Sequence, residues 1–179
     1  MTDRPERGLL MVLTGNGKGK TTAAFGQALR AIGHGARVLV IQFMKGSDTY
    51  GELKAARKYL DGLLVVEQYG LDRFVDKDNP RPEDLELARR GLERAREVLT
   101  GGEFPLVILD EINVALDFGL LPLEEVLEVL SARHPSVDVL LTGRYAPPAI
   151  VQEADLVSEV LDIKHHYAQG TPGRRGIEF

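Results

Sequence analysis

An α/β fold built on a mostly parallel sheet, with helices on both faces, follows from three features of the sequence. Apolar runs of strand length recur along the chain, they are near-continuous rather than alternating, and helical stretches separate them. Parallel strands need a crossover between them, and a helix packed back on the sheet is the economical one, with right-handed connections.

The elements follow in order. Leu9–Leu13 is the first strand; it runs into the glycine-rich stretch LTGNGKGKTTA, after which Lys20–Ile32 is helical. Val38–Phe43 gives the second strand, Thr49–Leu60 the second helix and Leu63–Val66 the third strand. Gly70–Pro82, GLDRFVDKDNPRP, is polar and rich in turn formers, a long loop near the carboxyl edge of the sheet. Loops of that length in compact domains are often functional or disordered. In Pro82–Leu99, Leu85, Ala88, Leu92, Ala95 and Leu99 recur at three-and-four spacing, which predicts a helix packing that face on the core. Leu106–Leu109 and Val137–Leu141 are strands, Leu123–Ala132 and Pro148–Glu153 helices, and Leu156–Ile163 a weaker last strand. A chain of 179 residues, 44% of them apolar, can bury one good core and is short for two, so 1–179 reads as a single domain.

The glycine-rich stretch carries the first chemistry. Gly15, Gly17 and Gly19 bring no side chains, so backbone N–H groups can converge on phosphate oxygens, and the helix beginning at Lys20 points its positive end at the same place. Lys20 offers a point charge to phosphate and Thr21 a hydroxyl to a divalent cation. Strand, loop and helix in this order make the fold P-loop NTPase-like, of the RecA-like kind. Two details depart from the common G-x-x-x-x-G-K-[ST] pattern: Thr14 stands where its first glycine would be, and Lys18 adds a second cation inside the loop.

Three strand ends join it. PLVILDEIN places Asp110 and Glu111 after four apolar residues, where carboxylates reach a nucleotide-bound metal. LLTGRY ends in Arg144, which either contacts phosphate or pairs with a surface acid. VIQFMKG brings Gln42, Met44 and Lys45 to the same edge. Open α/β sheets bind ligands beyond the carboxyl ends of their strands, so these segments share one crevice.

Composition excludes several classes. The net charge of −5, with no basic stripe, argues against a nucleic-acid partner. Without cysteine there are no disulfides, thiolate metal sites or thiol nucleophiles. The charged start MTDRPERG and the lack of any apolar run near the roughly 18 residues of a membrane span predict a cytoplasmic protein with no membrane contact. His165 and His166 are adjacent, so in a strand they would face opposite ways and make a poor metal pair. From these motifs alone a kinase or ATPase acting on the γ-phosphate, and an ATP-binding regulatory module, both remain open.

TGNGKGKTTAAFG, GHGARVLVIQFMKG, VILDEIN, LPLEEVL, LLTGR and the closing GRRGIEF resemble, in this order, the corrinoid adenosyltransferases that act on cob(I)alamin. The resemblance runs from about Leu10 to Phe179. It implies transfer of the 5′-deoxyadenosyl group of ATP to the Co(I) of a reduced corrinoid, with release of triphosphate, in adenosylcobalamin biosynthesis or salvage. ATP, the co-substrate, would lie reversed relative to kinases. Gly15 and Asn16 to Thr22 (Asn16, Gly17, Lys18, Gly19, Lys20, Thr21, Thr22) would then bind the triphosphate, with Arg144 near the nucleotide. Lys20, Thr21 and Glu111 carry the catalytic roles; Thr21 and Glu111 would hold Mg²⁺ or Mn²⁺, with Asp110 as a further metal partner. The family holds its corrinoid with aromatic residues after the third strand, in the pattern G-F-T-W. This chain reads YGLDRFV there, so Leu71 and Phe74, with Tyr69 and Gln42 nearby, are the corrinoid candidates, and Phe74 reads equally as a loop anchor. A flavoprotein reductase as electron donor and a homodimeric state are implied in the same way.

Overall fold

The structure, a computed structural model, describes residues 7–178; the first six residues of the charged start and Phe179 of the closing motif lie outside them. Six strands form one sheet, β1 (Leu10–Thr14), β2 (Val38–Phe43), β3 (Leu64–Tyr69), β4 (Leu106–Asp110), β5 (Asp138–Thr142) and β6 (Leu156–Glu159). Their order is β3-β2-β4-β5-β1-β6, and every pairing is parallel. The carboxyl ends of all the strands therefore lie along one edge.

The helices are α1 (Lys20–Gly33), α2 (Gly51–Tyr59), α3 (Pro82–Gly101), α4 (Ile112–Asp117), α5 (Leu123–Ser131) and α6 (Pro148–Glu153). Both faces of the sheet are covered, which explains the continuous apolar runs: all residues of β2 and of β4 are buried. Along β2 and β4 the side chains divide strictly by parity. Leu39, Ile41, Phe43, Val107 and Leu109 join the core under α3 and α5. Val38, Val40, Leu106 and Ile108 pack instead with Ala24 and Ala28 of α1 and Ala56 of α2.

Three expectations need adjusting. Leu85 is 39% exposed, because the first turn of α3 turns Asp84 inward instead, at 5% exposure. Asp84 accepts the N–H of Arg81 at 3.0 Å and so caps the helix that Pro82 opens. The short helix α4 follows Glu111 directly, and six residues are too few to display a helical period. The last strand stops at Glu159 rather than Ile163, since its partner β1 ends there and turns into the phosphate loop. None of the described helices is long and apolar enough to cross a membrane.

Candidate active site

Between β1 and α1 the glycines are needed for two different reasons. Gly15 and Gly19 have φ of 94° and 122°, a region that a side chain disfavours. Gly17 is crowded: a Cβ there would lie 2.5 Å from the carbonyl oxygen of Leu161, and its N–H donates to the Val160 carbonyl at 2.8 Å. The loop thus rests on the chain just past β6. Gly17→Ala is expected to lower turnover on the order of a hundredfold by displacing the loop about an ångström; kinetics beside a thermal-unfolding curve check this. Thr14, at the displaced glycine position, accepts the N–H of Ala146 through its hydroxyl at 3.2 Å, tying the loop to the approach of α6.

Lys20 folds back over the loop, donating to the Gly17 carbonyl at 2.7 Å, and is only 7% exposed. Burial lowers its pKa; nearby Arg144 adds to this, while Glu111 and Asp110 oppose it. Thr21 donates its hydroxyl to Asp110 Oδ1 at 2.9 Å. Asp110 is fully buried at the end of β4, and three more donors converge on it: Thr142 at 2.7 Å, Gln42 Nε2 at 3.0 Å and Lys45 at 2.7 Å. Burial alone would push its carboxyl up, but the charge and hydrogen bond of Lys45, with the Thr142 and Thr21 hydroxyls, outweigh it and hold the pKa below the ordinary value.

Glu111 follows in the left-handed region, with φ of 63°. Its N–H donates to Thr142 Oγ1 at 2.9 Å. Burial, then repulsion from Asp110, raises its carboxyl pKa above the ordinary range. Hydroxyl and carboxylate oxygens from Thr21 and Glu111 are the donor chemistry of a hard divalent cation. Among the described residues, the non-glycine residues with positive φ are Met44, Glu111 and Tyr145, which follow the ends of β2, β4 and β5. Such strain costs about 1–3 kcal/mol per residue and collects where function fixes the backbone.

A sequence model of the family described as ATP:corrinoid adenosyltransferase BtuR/CobO/CobP matches residues 6–179. The chain belongs to this family. It is 38% identical over 176 residues to the corrinoid adenosyltransferase of Pseudomonas aeruginosa, covering 98% of this chain and 86% of the relative. With that of Escherichia coli K12 the identity is 39% over 174 residues, 97% of this chain and 87% of the relative. Among solved structures the RadB recombinase is similar, with a TM-score of 0.55 at 17% identity over 89% of this chain and 77% of that one. That likeness bears out the P-loop, RecA-like fold.

Other parts of this corrinoid adenosyltransferase chain are arranged less directly. Gln42 is a correction: it is fully buried, donates to Asp110 and accepts from Gln68 Nε2 at 3.1 Å, so it offers no surface to a corrinoid. Tyr69 is half-buried against α3, its hydroxyl donating to Glu67 at 3.0 Å; burial and that bond raise its pKa. Beyond it the loop is pinned from below. Arg73 donates through Nη1 to Asp84 Oδ2 at 3.1 Å, its Nη2 forms an ion pair with Oδ1 at 3.0 Å, and Val75 packs on the core. Phe74, between these two anchors, is fully exposed, and Leu71 is partly buried, so Phe74 is not what anchors the loop.

Arg144 and Tyr145 line an open recess of about 350 Å³ with Val114, Phe118, Asp117 and Lys77. Lys18, Asn16 and Thr22 are exposed on the phosphate loop. His165 and His166 do not face opposite ways, because His166 opens a 3₁₀ turn; their rings stack at 4.6 Å with planes 24° apart. One ligand atom from each ring and a Glu178 carboxylate oxygen lie within 4.8 Å of one another, so adjacency does not make them the poor metal pair that the sequence suggested. Sequence reasoning brought Lys45 to this crevice without a role and left Thr142 out, although a threonine in the T-G-R segment pointed there.

Proposed function

We propose that the protein transfers the 5′-deoxyadenosyl group of ATP to the cobalt of a reduced corrinoid. The electron pair of Co(I) attacks C5′, a Co–C bond forms, the C5′–O bond breaks, and triphosphate leaves with that bond's electrons. One observation carries the reading beyond family membership. The phosphate loop carries Lys18 and, folded back over it, Lys20, near an Asp110 whose acceptor positions are filled by hydrogen bonds. Such a site suits a reaction whose nucleophile arrives with the substrate and whose leaving group is a polyanion.

In this reading Gly15 to Thr22 hold the triphosphate and Arg144 lies near the nucleotide. Thr21 and Glu111 hold Mg²⁺ or Mn²⁺, with Asp110 supporting Thr21 by its hydrogen bond. The cation, when bound, supplies positive charge against the departing triphosphate. Phe74 and Leu71 meet the corrinoid. The electron that makes Co(I) comes from a flavoprotein reductase, and the working unit is a homodimer.

Product analysis tests the function. With ATP and chemically reduced cobalamin the expected products are adenosylcobalamin and triphosphate in equal amounts; ADP and phosphate as the stoichiometric products would refute it. Phe74→Ala is expected to raise the KM for the corrinoid about tenfold and to leave the KM for ATP unchanged. The absorption spectrum of bound Co(II) gives a second check, since an unchanged spectrum and KM would remove Phe74 from the site.

A further inference from the structure

A carboxylate offers about four acceptor positions, and on Asp110 all four are taken. Oδ1 accepts Thr21 and Thr142; Oδ2 accepts Gln42 and Lys45. Three of these donors are fixed in place. Thr142 and Gln42 are fully buried, and Thr21 sits in the first turn of α1. Lys45 differs: its ammonium ends a flexible four-carbon stem, with the side chain 16% exposed. That same ammonium lies 3.1 Å from Thr21 Oγ1, donating to it. One mobile group therefore sits on Thr21 Oγ1, the hydroxyl assigned to the cation, and on Asp110 Oδ2 behind it.

We propose that Lys45 is a built-in stand-in for the divalent cation: it occupies the place between Thr21 and Asp110 until the metal arrives with nucleotide, and it must withdraw for the metal to bind. The proposal rests on the assignment of Thr21 and Glu111 to the cation. Without Lys45 the adjacent carboxylates Asp110 and Glu111 would be offset at a distance by Lys20 and Arg144 with no cation bonded to Asp110, and buried charge is not tolerated cheaply. The ammonium answers that need in the resting state. A divalent ion on Thr21 would stand beside it as a like charge and drive it off.

The backbone supports a fixed root with a free tip. Met44 has φ of 59° and turns the chain sharply out of β2, aiming Lys45 back over the strand end. Gly46 and Gly70 lock this turn against the loop after β3: a Cβ on Gly70 would lie 2.3 Å from the Lys45 backbone nitrogen, and one on Gly46 2.4 Å from the Gly70 carbonyl oxygen. The turn cannot drift, so exchange is left to the stem.

Mn²⁺ titration of the full chain without nucleotide, read from the paramagnetic resonance of free Mn²⁺, tests this. Lys45→Met is expected to bind Mn²⁺ about tenfold more tightly than wild type, through loss of a competing charge-assisted contact, and Glu111→Gln to bind it more weakly. If Glu111→Gln weakens Mn²⁺ while Lys45→Met equals or falls below wild type, the stand-in role is overturned and the metal assignment survives. If Glu111→Gln binds like wild type, the metal assignment itself fails and the proposal with it. Should Lys45→Met not fold, the wild-type protein still decides. The ¹⁵Nζ resonance of Lys45 is expected to shift when Mg²⁺ and tripolyphosphate are added, and an unmoved resonance overturns the proposal.

Discussion

Lys20→Ala is expected to lower the turnover of adenosyl transfer by about 10²–10³-fold, the loss typical of removing one preorganised charge from a developing anion. The ammonium already lies over the loop, bonded to the Gly17 carbonyl and nearly closed off from solvent. It therefore needs little reorganisation to meet the phosphate chain. The effect belongs in kcat at saturating ATP, because the charge on the triphosphate grows as the C5′–O bond breaks. Lys20→Arg should recover only part of the rate, since the guanidinium is too broad for the space that Gly17 leaves. Turnover within threefold of wild type in Lys20→Ala would remove this residue from the leaving-group site.

Asp110→Ala is expected to destabilise the fold by about 3–5 kcal/mol, the range for breaking a buried pair by removing one partner. It strands the Lys45 ammonium and takes the acceptor from Gln42 and Thr142, both fully buried. Urea unfolding measures it as a fall in midpoint at unchanged slope. The pH dependence follows from the direction of the shift. Asp110 titrates lower in the folded protein than the unfolded value of about 4, so its contribution is fully present above that pH and is lost as pH falls through the folded value. The gap between wild type and Asp110→Asn should be constant near neutrality and narrow below about pH 4. A gap that widened on acidification would contradict the pairing with Lys45.

How much of this could be read from the chain alone depends on what fixed each residue's place. Buried strands such as Val38–Phe43 announce themselves, because two covered faces demand unbroken apolar runs. The phosphate loop was legible in the same way, since backbone-borne anion binding leaves its mark as glycines at fixed spacing. Gln42 was misjudged because nothing local distinguishes an amide at a strand end that faces a ligand from one that faces a buried aspartate. Only the register of β2 with β4, which pairs Gln42 with Asp110, decides it. Leu85 misled for a related reason: an apolar period predicts a helix face only until a polar anchor such as Asp84 claims the first turn.

The contact between Met44–Gly46 and Gly70–Leu71 joins two strand-end turns backbone to backbone, with no side chain between them to act as a cushion. One turn carries Lys45 onto Asp110, and the other opens the segment that holds Phe74 out toward solvent. Rigidly joined parts share their displacements, so a strain placed on either turn is felt by the other across that contact. Whatever factor the metal-nucleotide imposes on corrinoid affinity through it, the corrinoid returns to the metal-nucleotide.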